Sequence, residues 1–168
     1  MSSNPYQPPR ARVGDVDTAE EYQEIRLWSA QGRIGRLRYL AYSTGASLLF
    51  GFVIAGLSAI LGTGVGAVLT VVGYLALLVF SVLIAIQRSH DMNWSGWTVF
   101  LQLIPFVALI WIFKPGTDGE NDYGAPPPPN TLAVKILGLL LPIIFIIGIM
   151  AAIAIPAYVE YTRRAAGG

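Results

Sequence analysis

The residues that could perform acid–base chemistry lie together in one short stretch. His90 is the only histidine and Asp91 follows it directly, and an imidazole is the side chain that titrates nearest neutral pH. Arg88 lies close enough to pair with Asp91. A catalytic or proton-relay role is one interpretation of Arg88, His90 and Asp91. A structural polar cluster is favoured, because the sequence shows no nucleophile–base pair, phosphate loop or zinc-ligand spacing. We therefore predict no enzymatic activity and no catalytic residue.

A second polar group is acidic and alternates along the chain at Asp118, Glu120 and Asp122. The spacing is like the start of an EF-hand calcium loop, which needs glycine at its sixth position and glutamate at its twelfth. Tyr123 and Pro129 occupy those positions here. The stretch therefore favours a turn-rich loop with solvated acids, and we predict neither a metal site nor a cofactor. The glycines expected to take positive φ angles in this loop are Gly116, Gly119 and Gly124.

The elements that must position these residues are membrane helices. Residues 39–87, 92–113 and 136–159 contain no charged side chain. About 20 apolar residues cross the hydrocarbon core as a helix, so the first stretch is long enough for two crossings and the others for one each. The sequence predicts an all-α, polytopic membrane helical bundle with four transmembrane helices and a short N-terminal amphipathic helix. The expected spans are 40–61, 67–86, 97–113 and 136–158.

The chain before the first span divides into two parts. Residues 1–17 are predicted to be a disordered cytoplasmic tail, since their prolines and polar residues offer little for a core. Residues 18–38 should hold the amphipathic helix, from about Ala19 to Ala30, because Thr18 and Glu21 have the spacing of a capping box. Basic residues then precede the span, and they favour a topology determinant over an anionic-lipid contact. They are Arg33, Arg36 and Arg38.

The membrane domain is predicted at residues 39–113. Small residues recur every four positions along span one, which permits close helix packing, and we expect span two, rather than another protein, to fill that seam. The small residues are Ser43, Ser47, Gly51, Ala55 and Ala59. Span three is short and contains Pro105, so it is expected to be thinned, kinked or partly re-entrant. A polar Pro/Gly-rich loop at 114–135 precedes the last helix and tail at 136–168.

The charge distribution predicts the orientation. Of the 11 Lys and Arg residues, six precede span one, Arg88 follows span two, and Arg163 and Arg164 follow span four. With four spans these nine share one side, against Lys114 and Lys135 on the other. The positive-inside rule then places both termini in the cytoplasm. If span three is re-entrant, the C-terminus lies outside instead.

Three motifs, in order, carry a resemblance to a known family. They are Gly32–Arg36 (GRIGR), Arg88–Asp91 (RSHD) followed by Ser95–Trp97 (SGW), and Pro115–Gly124 (PGTDGENDYG). Together they resemble the bacterial inner-membrane family known as domain of unknown function 805, over about residues 31–129. The resemblance implies a bacterial inner (cytoplasmic) membrane location and supplies no activity.

The last span carries a second resemblance. Residues 148–162, GIMAAIAIPAYVEYT, are similar to the later part of the N-terminal helix of type IV pilins. Counting back from Gly148, the pilin leader glycine, first phenylalanine and fifth-position glutamate fall on Val134, Lys135 and Leu139, so the chain is not a processed pilin. Descent from a pilin helix and convergence on the small-residue vocabulary of packed membrane helices both remain open.

These observations predict a non-enzymatic inner-membrane protein that binds other membrane proteins. The expected partners are the lipid bilayer and, through the last helix, type IV pilins, their assembly machinery or other membrane-protein helices. The alternative is an oligomeric conduit for small solutes or ions, although spans without interior ionisable residues disfavour it. No nucleic-acid partner is expected, because the basic residues lie at membrane boundaries. The partner-binding residues are predicted to be Gly148, Ala152, Pro156, Tyr158 and Tyr161.

Overall fold

The regular secondary-structure elements are all helices in the part of the chain that the computed structural model describes, residues 22–167. Its elements in chain order are α1 (Arg36–Leu61), α2 (Thr63–Asp91), a 3₁₀ helix (Gly96–Leu103), α3 (Leu109–Phe113) and α4 (Leu132–Ala166). Within residues 22–167, three helices are long and apolar enough to cross a membrane, and these are α1, α2 and α4. The predicted tail at 1–17 lies outside the described residues.

Helices α1 and α2 form an antiparallel hairpin around a single turn residue, Gly62. Gly62 adopts a φ of +80°, a backbone conformation that glycine takes without a steric cost. Small residues of α2 then let α1 approach closely. A Cβ added to Gly66 would overlap Ser58, and one added to Gly73 would overlap the ring of Phe50.

The predicted helix seam is therefore wrong in its location. Gly51 has nothing within 4 Å of an added Cβ, and Ser47, Ala55 and Ala59 are exposed. The small side chains that set the α1–α2 distance belong to α2, and the bulky Phe50 of α1 fills the space over Gly73. The regular small-residue spacing of α1 lies on another face of that helix.

The predicted four spans are also corrected, because residues 97–113 do not form one helix. The 3₁₀ helix at Gly96–Leu103 extends only about 16 Å at ~2 Å per residue, which is half of a ~30 Å core. Pro105 then interrupts the helix. Ile104 before it is extended, at φ −90° and ψ 117°, as a residue preceding proline prefers, and Phe106 follows at φ +66°.

Both ends of this interrupted segment lie at the same end of α2. At its start, the amide of Trp94 donates to the carbonyl of Ser89 at 2.9 Å. At its finish, the Arg88 guanidinium donates to the carbonyl of Lys114. The segment therefore begins and ends at one end of α2, as the re-entrant alternative requires.

Helix α4 begins at that same end of the bundle. Arg38, in the first turn of α1, donates to the carbonyls of Pro128 and Pro129 at 3.1 Å each. Gly138 packs directly on the backbone of Leu37. Helix α4 therefore starts beside the first turn of α1, and its buried residues, Val134 and Gly138, both lie near that start.

The predicted amphipathic helix at about 19–30 is wrong over its described part. Residues 22–30 are extended or turn, and we call residues 22–35 the strap. The Gln23 amide donates to the carbonyl of Pro126 at 3.1 Å. The Gln87 side chain donates to the carbonyls of Arg26 and Ser29 at 2.8 and 2.6 Å. Tertiary partners thus satisfy backbone groups that a marginal three-turn helix would otherwise have paired internally.

The topology can be tested with single cysteines, since the chain has none of its own. Asp118→Cys and Ala165→Cys, both at exposed positions, should react with a membrane-impermeant maleimide from opposite sides of the membrane. Glu24→Cys is the control and should label from the same side as Asp118→Cys. Labelling of positions 118 and 165 from one side would restore a fourth crossing and contradict the re-entrant segment.

Candidate functional site

A buried carboxylate between two arginines is the centre of the polar end of the bundle. Asp91 is the last residue of α2 and is 3% exposed. One carboxylate oxygen, Oδ2, lies 2.6 Å from the Arg88 guanidinium, and the other, Oδ1, lies 3.3 Å from Arg33. Arg33 and Arg88 are themselves 1% and 0% exposed. The Arg88–Asp91 pair was expected, whereas Arg33 as the second partner was not.

Arg33 joins the strap to the loop that follows α3. Its guanidinium donates to the carbonyls of Gly119 at 2.7 Å, Gly124 at 3.0 Å and Thr117 at 2.7 Å. The loop is shaped to present these carbonyls, because Gly119 and Gly124 both take positive φ angles, at +68° and +108°. The PGTDGENDYG motif therefore acts as a ring of acceptors around one side chain.

Arg88 joins α2 to α3 in the same way. Its Nε donates to the carbonyl of Trp111 at 2.9 Å, and a terminal nitrogen donates to that of Lys114. The indole of Trp111, which is fully buried, donates in turn to Ser89 Oγ at 2.9 Å. Arg88 and Ser89, two residues of the RSHD motif, thus hold the returning arm of the re-entrant segment.

The two basic residues in the first turn of α1 bind carbonyls as well. Arg36 donates to Phe113 at 3.0 Å, and Arg38 donates to the proline run before α4. Arg38 is 4% exposed. Burial of Arg33 and Arg38 leaves them turned into the protein, so their contacts are structural.

Two positions in the motifs require glycine, one for its backbone conformation and the other for lack of space. Gly32 takes a φ of +90°, which positions its carbonyl 3.2 Å from His90 Nδ1. Gly116, which was expected to take a positive φ, is instead a close-approach residue. A Cβ there would overlap the carboxylate of Asp91, so the loop can reach the cluster only with glycine at this position.

His90 and Asp91, although adjacent in sequence, serve different contacts. The His90 ring stacks on Tyr123, with centroids 3.9 Å apart and planes 5° apart, and its carbonyl accepts from Asn121 at 2.9 Å. Both oxygens of Asp91 are held by arginines. The arrangement ties a helix end to a loop, since its polar atoms are directed at one another. Within residues 22–167 no group of three potential metal ligands converges.

The predicted partner-binding residues lie far from this cluster, on the distal part of α4. Helix α4 is buried only near its start, at Val134 and Gly138. The predicted residues are all exposed, and they are Gly148, Ala152, Pro156, Tyr158 and Tyr161. Two surfaces are thus separate in space, a closed polar cluster at one end and an open apolar helix towards the other.

Three apolar spanning helices held together at one end by a buried arginine–aspartate cluster define a multi-pass membrane protein. A sequence profile of the family described as Protein of unknown function (DUF805) matches residues 27–125, more than half of the chain. The chain belongs to this family, as the three motifs predicted. All three motifs converge on the cluster, whereas the distal part of α4 lies beyond the matched region.

Curated relatives agree with a membrane location. Two proteins, each described as Inner membrane protein YhaH, come from Escherichia coli strain K12 and Escherichia coli O157:H7. Each is 33% identical over 105 residues, covering 58% of this chain and 85% of the relative. No solved structure gives a significant match. Together with the three apolar helices, these relatives are consistent with a multi-pass inner membrane protein.

Asp91→Asn tests the electrostatics of the cluster. The amide leaves two buried guanidinium groups without their shared counter-charge, and breaking a buried pair typically costs about 3–5 kcal/mol. We expect thermal unfolding of the purified protein in detergent to shift down strongly. Asp118→Asn, at an exposed position of the loop, is the matched control and should change stability by about 0.5 kcal/mol or less. Equal thermal stability of the two variants would mean that the pairing of Asp91 with the two arginines does not stabilise the protein.

Gly116→Ala tests the close approach of the loop. The added methyl should push the loop off Asp91 and destabilise the protein by about 1–3 kcal/mol, as overpacking does. Gly51→Ala, where an added Cβ meets nothing within 4 Å, is the control. The measurement is again thermal unfolding in detergent, and an unchanged midpoint for Gly116→Ala would contradict the contact.

Proposed function

We propose that this protein is a non-enzymatic inner-membrane protein that binds other membrane proteins through the distal part of α4, residues 141–166. The proposal combines an anchored helix start with an unpartnered helix end. The polar cluster supports the non-enzymatic part of the proposal, because it engages both oxygens of Asp91 and occupies His90 with Gly32 and Tyr123.

The observation that carries the proposal is the exposure of α4 on all of its faces. From Leu141 to Gly167, no residue is buried, and Pro142, Ala151 and Thr162 are the only ones of intermediate exposure. From Leu141 to Val159 the helix carries no charged residue and is apolar all round, which is typical of a helix surrounded by lipid or by other membrane helices. Its first turns are held by α1, so the exposed part projects at a fixed position.

The chemistry of the exposed part favours a helix as partner. Gly148 and Ala152 are one turn apart and permit close backbone approach, which drives helix association in lipid. Pro156 has no N–H to donate to the carbonyl of Ala152. In a bilayer, a carbonyl without its intrahelical donor is stabilised by a hydrogen bond from a donor on a neighbouring helix. Tyr158 and Tyr161, near the end of the helix, add aromatic surface at the far interface.

The direction of α4 supports a pilin-like partner. Among the 11 Lys and Arg residues, all but Arg163 and Arg164 lie before α1 or near the cluster end of the bundle. The positive-inside rule therefore assigns the N-terminus and the cluster to the cytoplasm. With three crossings, α4 then runs from cytoplasm to periplasm, the direction in which pilin helices run. The resemblance of residues 148–162 to a pilin helix then applies in a matching orientation, so type IV pilins or their assembly machinery are the partners proposed.

Site-specific photo-crosslinking tests this proposal. A photoreactive residue placed at Ile149, Ala152 or Ile155 in living cells should yield adducts with another membrane protein. The same residue at Ala55, an exposed small position on α1, is the control and should not give that adduct. Gly148→Leu should weaken adduct formation from Ala152, because the bulky side chain prevents close approach.

The identity of the adduct decides between outcomes. A pilin or a component of its assembly machinery supports the named partner, and a different membrane protein supports binding while replacing the partner. Adducts between copies of this chain alone would overturn the proposal.

An oligomeric conduit is the second candidate, and one observation favours it. The small-residue stripe of α1 is exposed at Ser47, Gly51, Ala55 and Ala59, so copies of the chain can approach closely along it. Reconstituted protein should then release small solutes or ions from liposomes, and Ala55→Leu should abolish the release. Liposomes that stay sealed at all protein densities would remove this candidate.

A further inference from the structure

A narrow apolar groove runs along the α1–α2 hairpin, away from the distal part of α4. It encloses about 530 Å³, within the range of roughly 300–1,000 Å³ typical of ligand sites. Its walls are almost wholly apolar, and small residues of both helices make the space. The walls include Ala46, Leu49 and Val53 of α1 and Gly73, Ala76 and Leu77 of α2.

The length of the groove matches one leaflet of a bilayer. On α1 it extends from Ala41 to Val53, which is about 18 Å at 1.5 Å per residue. Half of the ~30 Å hydrocarbon core is about 15 Å. The deep end is lined by Phe50 and Val53, and the Phe50 ring packs on Gly73 and lies 4.8 Å from the ring of Tyr74.

The strap closes the other end of the groove. Leu27 and Trp28 both line it, and the indole of Trp28 meets Phe80 edge-on with centroids 5.5 Å apart. The strap is held there by α2, since Gln87 donates to the carbonyls on either side of this pair, those of Arg26 and Ser29. Tryptophan is also the side chain that favours the boundary between headgroups and hydrocarbon.

A groove about one leaflet long, with the strap across one end, selects its occupant. A transmembrane helix of a partner or of a second copy is about 10–12 Å wide with its side chains and must continue past the headgroups, where Leu27 and Trp28 lie in its path. A lipid tail is narrow and ends at the headgroup. We infer that the groove holds one acyl chain of a phospholipid from the leaflet at the cluster end of the bundle, with its headgroup beside the strap.

Photoactivatable phospholipid tests this assignment on the full chain in vesicles of phosphatidylethanolamine and phosphatidylglycerol. A diazirine near the end of the acyl chain should label Leu49 and Leu77 several-fold more than Phe52 and Val68. The latter two are control positions outside the groove, and both are strongly exposed, at 81% and 64%. A tail that merely surrounds the protein would instead label residues in proportion to their exposure.

Groove-filling variants give the second measurement. Ala46→Phe and Ala76→Phe place a ring in the groove and should reduce labelling of Leu49 and Leu77 several-fold, while Ala55→Phe, outside the groove, should leave it unchanged. Labelling that follows exposure alone overturns the assignment, and so does labelling that neither variant reduces. A photoreactive residue at Leu49 that captures a polypeptide, including a second copy, overturns it as well. These outcomes are independent of the α4 crosslinks.

Discussion

The structure depends on one buried carboxylate, Asp91, shared by the guanidinium groups of Arg33 and Arg88. Two positive charges with one negative charge would be costly to bury, and such burial is tolerated only with good geometry and full hydrogen bonding. Backbone carbonyls supply the additional hydrogen-bond acceptors that the single carboxylate cannot provide. Carbonyls of Thr117, Gly119 and Gly124 surround Arg33, and those of Trp111 and Lys114 surround Arg88. Their dipoles solvate the terminal nitrogens of both cations, whereas the buried Nε of Arg33 has no hydrogen-bond partner.

This solvation requirement also determines how the chain crosses the membrane. Carbonyls from both sides of Phe113 must reach the end of α2, so the segment between the end of α2 and Lys114 has to return to the side from which it entered. Pro105 makes the return possible by interrupting the helix. Because Arg38 binds the carbonyls just before α4, the last helix also starts at this end. The polar cluster thereby holds both ends of the interrupted segment and the start of α4 at one end of the bundle.

The sequence predicted the features that depend on hydropathy and local motifs. It predicted the membrane class, the approximate spans of α1, α2 and α4, the family and the Arg88–Asp91 pair. It failed where long-range contacts override local preference. The helix at 19–30 is absent from residues 22–30 because Gln87 and Pro126 compete for its backbone. Arg33 resembled a topology signal, since nothing in its own segment indicates a partner 58 residues away. The role of Gly116 required the position of Asp91, which sequence spacing does not provide.

The separation of these contacts along the chain has a consequence for synthesis. Arg33 leaves the ribosome early, yet its acceptors are 58, 86 and 91 residues later. The α1–α2 hairpin can insert first, because its contacts around Gly62 are local. Until Gly124 has been made, Arg33 remains hydrated and the re-entrant segment has no fixed depth. Closure of the cluster is therefore a late step, which can be complete only after Gly124 has been made. The sequence separation between Arg33 and its acceptors therefore determines the order in which these contacts can form.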